Sequence, residues 1–482
     1  MHDADNRNAR QGRIAHRRRR VRQRRSRAPL FHDYADAMTH RFGYRWTAPA
    51  AAIALCVATN AVAQQVSSPP EDADQDSTEQ GQTHLDGSFG PLTYEAWVRE
   101  TRRKAFRDTD WKFQARTYYI DRDKYDDSES EAWAIGGSAG FKTGYFRERF
   151  AFGATLYGSA PLYAPDEKDG TLLLKPGQEG YAVLGEAYVE TLLSEDLQMT
   201  VGARTFDTPY LNKNDSRMAP NSFLAAALQG LHGDGKQVGQ WRWGAGYFDK
   251  IKERNSDEFV AMSDDAGASI KRGVYASGVN YSKGDLSIGA INYWSSNVIN
   301  IFYTEAKYGV PVGEHAKLKF AAQYSDQRSV GDDRLTGSDF DAHQWGVKAE
   351  LEIGSALLTT AYSDASGDRD MTAPWSGYPG YTSVQVEDFN RAGEAAWLLR
   401  ASYAFPKHTG LSAYALYVAG SDPDAPSAYG RGETDFNLQW SPPEGPLTGL
   451  LVRLRYALVA QDDPGDTDTR DLRVMVFYEL PF

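Results

Sequence analysis

Three segments in the second half of the chain constrain its fold most, because each alternates apolar and charged side chains along its length. Trp345, Val347, Ala349, Leu351 and Ile353 alternate with Gln344, Lys348, Glu350 and Glu352. Leu450, Val452, Leu454, Tyr456 and Leu458 alternate with Arg453 and Arg455, and Leu472, Val474, Val476, Tyr478, Leu480 and Phe482 with Arg473 and Glu479. A period of two is the signature of a strand with unlike faces. Strands of soluble sandwiches are usually about 5–6 residues long. These run about 9–11, the length that crosses a bilayer at a steep tilt. Hydrocarbon offers no partner to an unpaired N–H or C=O, so such strands must close into a barrel.

The breaks between bursts of alternation give the strand count. Short turns fall near Thr143–Phe146, Ser194–Asp196, His232–Lys236, Lys283–Asp285, Pro311–Glu314, Gly354–Ser355, Pro406–Gly410 and Pro442–Gly449. Polar stretches at 121–131, 158–180, 206–220, 251–271, 295–298, 325–342, 363–394, 420–431 and 461–471 separate them, all but 295–298 long. Eight turns and nine loops predict an all-β, closed antiparallel transmembrane β-barrel of 18 strands with both ends on the same side of the membrane. The last strand ends in Phe482, the kind of signal that the barrel-assembly machinery reads.

The front of the chain supplies the route. Arg41 and Arg45 precede a short apolar run, Ala48 to Ala63, that ends Ala61-Val62-Ala63. A basic start, a short apolar core and a small-x-small ending describe a Sec signal peptide, and the run is shorter than the roughly 20 residues a membrane helix needs. The eight arginines between Arg17 and Arg27 resemble a nucleic-acid-binding tail, but a start at Met38 gives a signal of ordinary length and leaves residues 1–37 a mis-assigned extension. Residues 1–63 therefore read as false start plus signal, 64–105 as a flexible periplasmic leader, and 106–482 as the barrel. Cys56, the single cysteine, falls in the signal core, and the mature chain is free of thiols. Removing residues 1–63, with 13 Lys+Arg and 4 Asp+Glu, leaves 40 basic and 61 acidic side chains, a net of −21 that argues against nucleic acid. A mean hydropathy of −0.57 excludes a bundle of membrane helices.

Enzymatic chemistry finds no foothold. His84, His232, His315, His343 and His408 have no metal-ligand spacing, and no nucleophile-elbow, phosphate-loop or Cys cluster appears. No catalytic set, metal or cofactor is therefore expected. The run Asp462-Asp463-Pro464-Gly465-Asp466-Thr467-Asp468 reads as a solvated acidic loop rather than a Ca²⁺ site, lacking the EF-hand pattern. What stands out is arginine on the charged strand face: Arg116, Arg400, Arg453, Arg455 and Arg473. An arginine facing midplane lipid costs about 2–4 kcal/mol, so alternation sends these inward. A guanidinium there presents a planar fork matched to carboxylates. Either the arginines pair with wall carboxylates such as Glu186, Glu190 and Glu350, or they pass an anionic group from one to the next.

At these residues the chain resembles the OprD (Occ) family of substrate-specific outer-membrane channels. The resemblance runs from about Ala105 to Phe482 and is carried by QARTYYIDRD (114–123), DTPYLNKNDSRMAPNSF (207–223), EDFNRAGEAAWLLRASYAF (387–405), ETDFNLQW (433–440), LLVRLRYAL (450–458) and the ending RDLRVMVFYELPF. It implies an 18-stranded barrel whose third external loop folds inward. It also implies a basic ladder that carries small carboxylate-bearing nutrients past an electronegative side. On matching positions it adds Arg122 and Arg217 to the ladder beside Arg453, Arg455 and Arg473, and offers Tyr362 and Asp388 for the electronegative side. Loop 363–394 departs from the family pattern, so the solute itself is not read from it.

The expectation is an outer-membrane channel of a Gram-negative bacterium for passive, selective diffusion of small carboxylates. Its other contacts would be outer-membrane lipid, lipopolysaccharide and the assembly machinery. The rival is a general, weakly selective porin; a plugged adhesin-type barrel and a membrane hydrolase are further alternatives.

Overall fold

The computed structural model describes residues 85–89, 93–235, 238–421, 423–424, 429–462 and 468–480. The signal peptide, the Met38 start, leader residues 64–84 with His84, residues 463–467 of the acidic loop, and Phe482 lie outside them. Among the described residues, 18 long strands follow one another around the molecule. The first nine are β1 Asp110–Asp123, β2 Glu129–Lys142, β3 Phe150–Tyr163, β4 Tyr181–Ser194, β5 Leu197–Arg204, β6 Ser222–His232, β7 Gln240–Lys252, β8 Val274–Lys283 and β9 Leu286–Ser295. The second nine are β10 Ile299–Val312, β11 Ala316–Arg328, β12 Asp341–Ile353, β13 Ala356–Gly367, β14 Ala395–Ala404, β15 Leu411–Gly420, β16 Arg431–Trp440, β17 Leu450–Gln461 and β18 Thr469–Glu479.

Each strand pairs antiparallel with the next, and β18 pairs with β1 from Gln114 opposite Glu479 to Asp123 opposite Arg470, which closes the sheet. Closure removes the two open edges that would otherwise leave backbone groups unpaired in lipid. The alternation of turns and loops matches the sequence reading. The strands run from 8 residues in β5 to 14 in β1, so several exceed the expected 9–11.

Parity sorts the two faces. Ile135, Leu156, Leu184, Val201, Ile288, Val347, Leu399 and Leu454 are exposed on the outer face, while Arg116, Glu190, Arg242, Arg453, Arg455 and Arg473 are buried on the inner one. So much contiguous apolar surface suits lipid and not water. Exposed aromatics gather at both strand ends. Trp111, Phe150, Phe152, Trp241, Tyr308 and Tyr403 lie toward the short turns, and Trp133, Tyr275, Trp294, Trp345 and Trp397 toward the loops. Two such belts mark the two interfaces of a membrane. Tyr275 bridges Tyr247 at 4.8 Å and Trp294 at 5.9 Å between ring centroids, tying β7, β8 and β9 at one belt.

Part of the leader departs from the expected flexible tether. A helix, α1 (Tyr94–Thr101), is capped by Thr93, whose hydroxyl accepts from the Ala96 N–H at 3.1 Å. Residues 85–89 are packed as well, with Leu85, Ser88 and Phe89 buried. Apolar residues at Leu85, Phe89 and Trp97 supply burial that a wholly polar leader would lack.

Candidate functional site

Strand register places the inward arginines in rows across β14–β18 and β1. One row reads Arg400, Leu416, Asp435, Ala457, Asp471, Arg122, and the next Ser402, Tyr414, Asn437, Arg455, Arg473, Ile120. Arg453 lies one row further toward the turns opposite Met475, and Arg116 one row beyond that, opposite Phe477. Successive inward rows are about 7 Å apart along a strand, twice the rise per residue. Six of the expected arginines thus share one wall.

Their partners differ. Arg116 grips the loop 205–221 with a bidentate pair, Nη1 to Asp215 Oδ1 at 2.6 Å and Nη2 to Oδ2 at 2.8 Å. Its Nη1 also donates to the Arg217 carbonyl at 2.9 Å. Arg122 and Arg473 converge on the fully buried Asp471, at 2.5 and 2.6 Å. Arg453 Nε donates to Asn437 Oδ1 at 2.5 Å, and Arg455 Nη2 to the Tyr414 hydroxyl at 3.2 Å. Arg400 donates to Ser402 and lies 4.0 Å from the centroid of the Tyr414 ring. Ion pairing is therefore part of the answer for Arg116, Arg122 and Arg473, through Asp215 and Asp471. The carboxylates picked from the sequence serve elsewhere: Glu190 takes Lys142 and Arg204, Glu350 takes Lys348, and Glu186 accepts from Thr155 and Thr205.

Arg217 and Arg254 are the exception. Arg217 donates to the carbonyls of Thr171 and Ser216, both at 2.8 Å, and Arg254 to Asn214 Oδ1 and Ser216 Oγ at 2.9 and 2.6 Å. Among the described residues neither makes an ion pair. Burial, then repulsion from Arg254 and Arg473, drives the Arg217 pKa well below the usual guanidinium range. Burial, opposed by the neighbouring Glu253 carboxylate and aided by Arg473 and Arg122, brings that of Arg254 down to about 10. At Asp215 burial opposes the charge, yet Arg116 with Lys213 and Lys252 holds the carboxyl below its ordinary value. Like charges crowded together in this way disfavour one another's charged forms, and Glu253 offsets only the Arg254 end.

A second loop, residues 368–394, docks on the acidic part of the same wall. The backbone N–H groups of Val386 and Glu387 each donate to Glu433 at 2.8 Å, and that of Gln385 to Asp435 at 3.2 Å. Gln385 Nε2 reaches Asp471 Oδ1 at 2.8 Å, while its carbonyl accepts from Arg473 at 2.9 Å. Asp388 accepts from Ser383 at 2.6 Å, and burial raises its pKa despite that bond and Arg431. On the facing part of the wall, Tyr210 of loop 205–221 hydrogen-bonds Ser325 at 2.7 Å and packs edge-on against Tyr293, Tyr303 and Tyr378.

Tyr362 does not belong to this set. It shares strand parity with the exposed Leu358, and its ring packs on the outward Trp345 at 5.3 Å. One residue of parity moves a strand side chain to the other solvent, so Tyr362 is part of the outer belt. Arg254, Asp215 and Asp471 were missed: two lie in loops, where parity is silent, and Asp471 precedes Leu472, where the alternation of the last strand begins.

A closed barrel with an apolar, doubly belted exterior and a charged interior defines a transmembrane barrel of the bacterial outer-membrane type. The chain belongs to the OprD family of outer-membrane porins, whose model matches residues 104–482, which places it in the outer membrane of a Gram-negative cell. Among solved structures, Pseudomonas aeruginosa OccK9 (OpdG) superposes with a TM-score of 0.69 at 22% identity, covering 79% of this chain and 100% of its own. Acinetobacter baumannii OccAB3 gives 0.70 at 17% identity, covering 78% and 100%. P. aeruginosa OpdK, solved with vanillate, gives 0.67 at 20%, also covering 78% and 100%. No curated protein matches the chain.

Proposed function

We propose that this porin passes small carboxylates by passive, selective diffusion, with Arg217 and Arg254 receiving the carboxylate and Arg473, Arg455 and then Arg453 carrying it toward the turns. The carrying observation is the buried Arg217 beside the half-buried Arg254, neither of which has an ion-pair partner within reach among the described residues, with Arg473 and Arg122 adding positive charge nearby. In this reading loop 205–221 folds inward, held by Arg116 on one side and Ser325 on the other, and with loop 368–394 narrows the lumen. Asp388, Glu433 and Asp435 make the electronegative side that disfavours a second negative charge on the solute. Arg400 completes the upper row. That OpdK was solved with vanillate, itself a carboxylate, fits the class.

Liposome flux of a small aromatic carboxylate against its uncharged amide tests this. The carboxylate should enter faster through the parent protein, and Arg453→Ala/Arg455→Ala should remove the difference while leaving amide flux intact. Tyr362→Ala, on the outer belt, is the control that should change neither. Equal flux of both solutes through the parent would identify a general porin instead.

A further inference from the structure

The family match begins at residue 104, yet the described chain begins inside the barrel. Residues 85–89 lie against the inner wall of β7–β10. The Leu85 N–H donates to Glu305 Oε2 at 2.9 Å, and Lys307 Nζ reaches Asp86 Oδ1 at 2.8 Å. Arg242 donates to the carbonyls of Ser88, at 3.1 Å, and Asp86.

The wall is shaped to receive this segment. Gly244, Gly278 and Gly289 occupy inward positions on β7, β8 and β9. A Cβ there would stand 2.6 Å from the Phe89 ring at Gly244, 2.8 Å from it at Gly278, and 2.8 Å from Leu85 at Gly289. Contacts that short are not tolerated. At Gly278 and Gly289 the wall's own backbone, Ala290 O at 2.7 Å and Val279 O at 2.4 Å, also excludes a Cβ, so these glycines serve both the sheet and the groove that Phe89 and Leu85 fill.

Two further links fix the segment in place. Glu305 accepts from Leu85 on one oxygen and from the Tyr381 hydroxyl of loop 368–394, at 2.8 Å, on the other. Leu85 also joins the buried cluster containing Tyr210 and Tyr303. At the turn end α1 is moored by Trp97, whose Nε1 donates to the Glu195 carbonyl at 2.9 Å, and by Glu100 paired with Lys142 at 2.8 Å. A cavity of about 480 Å³ remains between segment, helix and wall, lined by Phe89, Trp97, Lys142, Glu190, Arg204 and Lys213.

We infer that residues 85–89, moored by α1, are a third element of the constriction, a tethered plug that narrows the lumen from the β7–β10 side and sets the upper size of the solute. It rests on the reading of the barrel as a channel. The parent's own unit current in planar bilayers tests that reading separately. Asp86→Cys in the full mature chain introduces a thiol beside the expected path. A bulky methanethiosulfonate reagent should then lower the unit current in one irreversible step, and should do nothing to the parent. Phe89→Ala/Arg242→Ala, which empties the groove and removes its anchor, should raise the current and admit larger solutes. Both variants conducting as the parent does, with the reagent inert on Asp86→Cys, would overturn the plug.

Discussion

Arg116 and Arg217 stand side by side, linked through the Arg217 carbonyl, yet do opposite work. Arg116 spends its fork on Asp215 and is a clasp; Arg217 spends its donors on the carbonyls of Thr171 and Ser216, and in the proposed function its charge is what a solute carboxylate meets. Removing one partner of a buried pair costs about 3–5 kcal/mol. The cost here falls below that range, since Asp215 is 27% exposed. Arg116→Ala should therefore leave the barrel folded but free the loop 205–221, seen as faster proteolytic nicking there and a noisier open-channel current. Arg116→Lys keeps a charge without the fork and should fall between. Unchanged nicking in Arg116→Ala would show that the loop is held by Tyr210 instead. The inward side of Arg116, Arg400, Arg453, Arg455 and Arg473 was readable from parity alone. Tyr362 was misplaced because resemblance carried it where the β13 outer face, Leu358-x-Thr360-x-Tyr362, is too mixed to announce itself. The pairing of Arg116 with Asp215, 99 residues apart, has no local signal at all.

At the scale of elements, turns and strands were legible because the two solvents impose a period on every one, whereas the loops answer to no such rule. Loop 368–394 finds its seat by offering backbone N–H groups to Glu433 and Asp435, which any sequence presents. Loop 253–273 carries a titratable seat. Burial, with Glu253 adding to it, pushes Asp265 up to about 8. A carboxyl raised in the folded state holds its proton where the unfolded loop has lost it. The loop's stability is thus full below the ordinary carboxylate range and is lost as pH rises to about 8. Protease nicking within 253–273 should increase between pH 5 and 9 in the parent and stay flat in Asp265→Asn. Equal pH dependence in both would assign the effect to another group.

For the whole molecule, the division of labour follows from closure. One wall, β14 to β1, carries Arg116, Arg122, Arg400, Arg453, Arg455 and Arg473; the other, β7 to β13, carries Arg242 and is filled by aromatic packing from Tyr210, Tyr293, Tyr303 and Tyr378, together with the leader segment. The strand count came directly from the breaks in the alternation, whereas the two aromatic belts emerged only with the structure. The asymmetry of the lumen was not legible either, because it depends on which loops enter and on the three glycines beside Phe89 and Leu85. The measurement that bears most directly on the account is single-channel current with a small carboxylate added. Brief interruptions should appear with the carboxylate and not with its amide, and their dwell time should shorten in Arg217→Ala/Arg254→Ala. Interruptions of the same length in that variant, or with the amide in place of the acid, would contradict it.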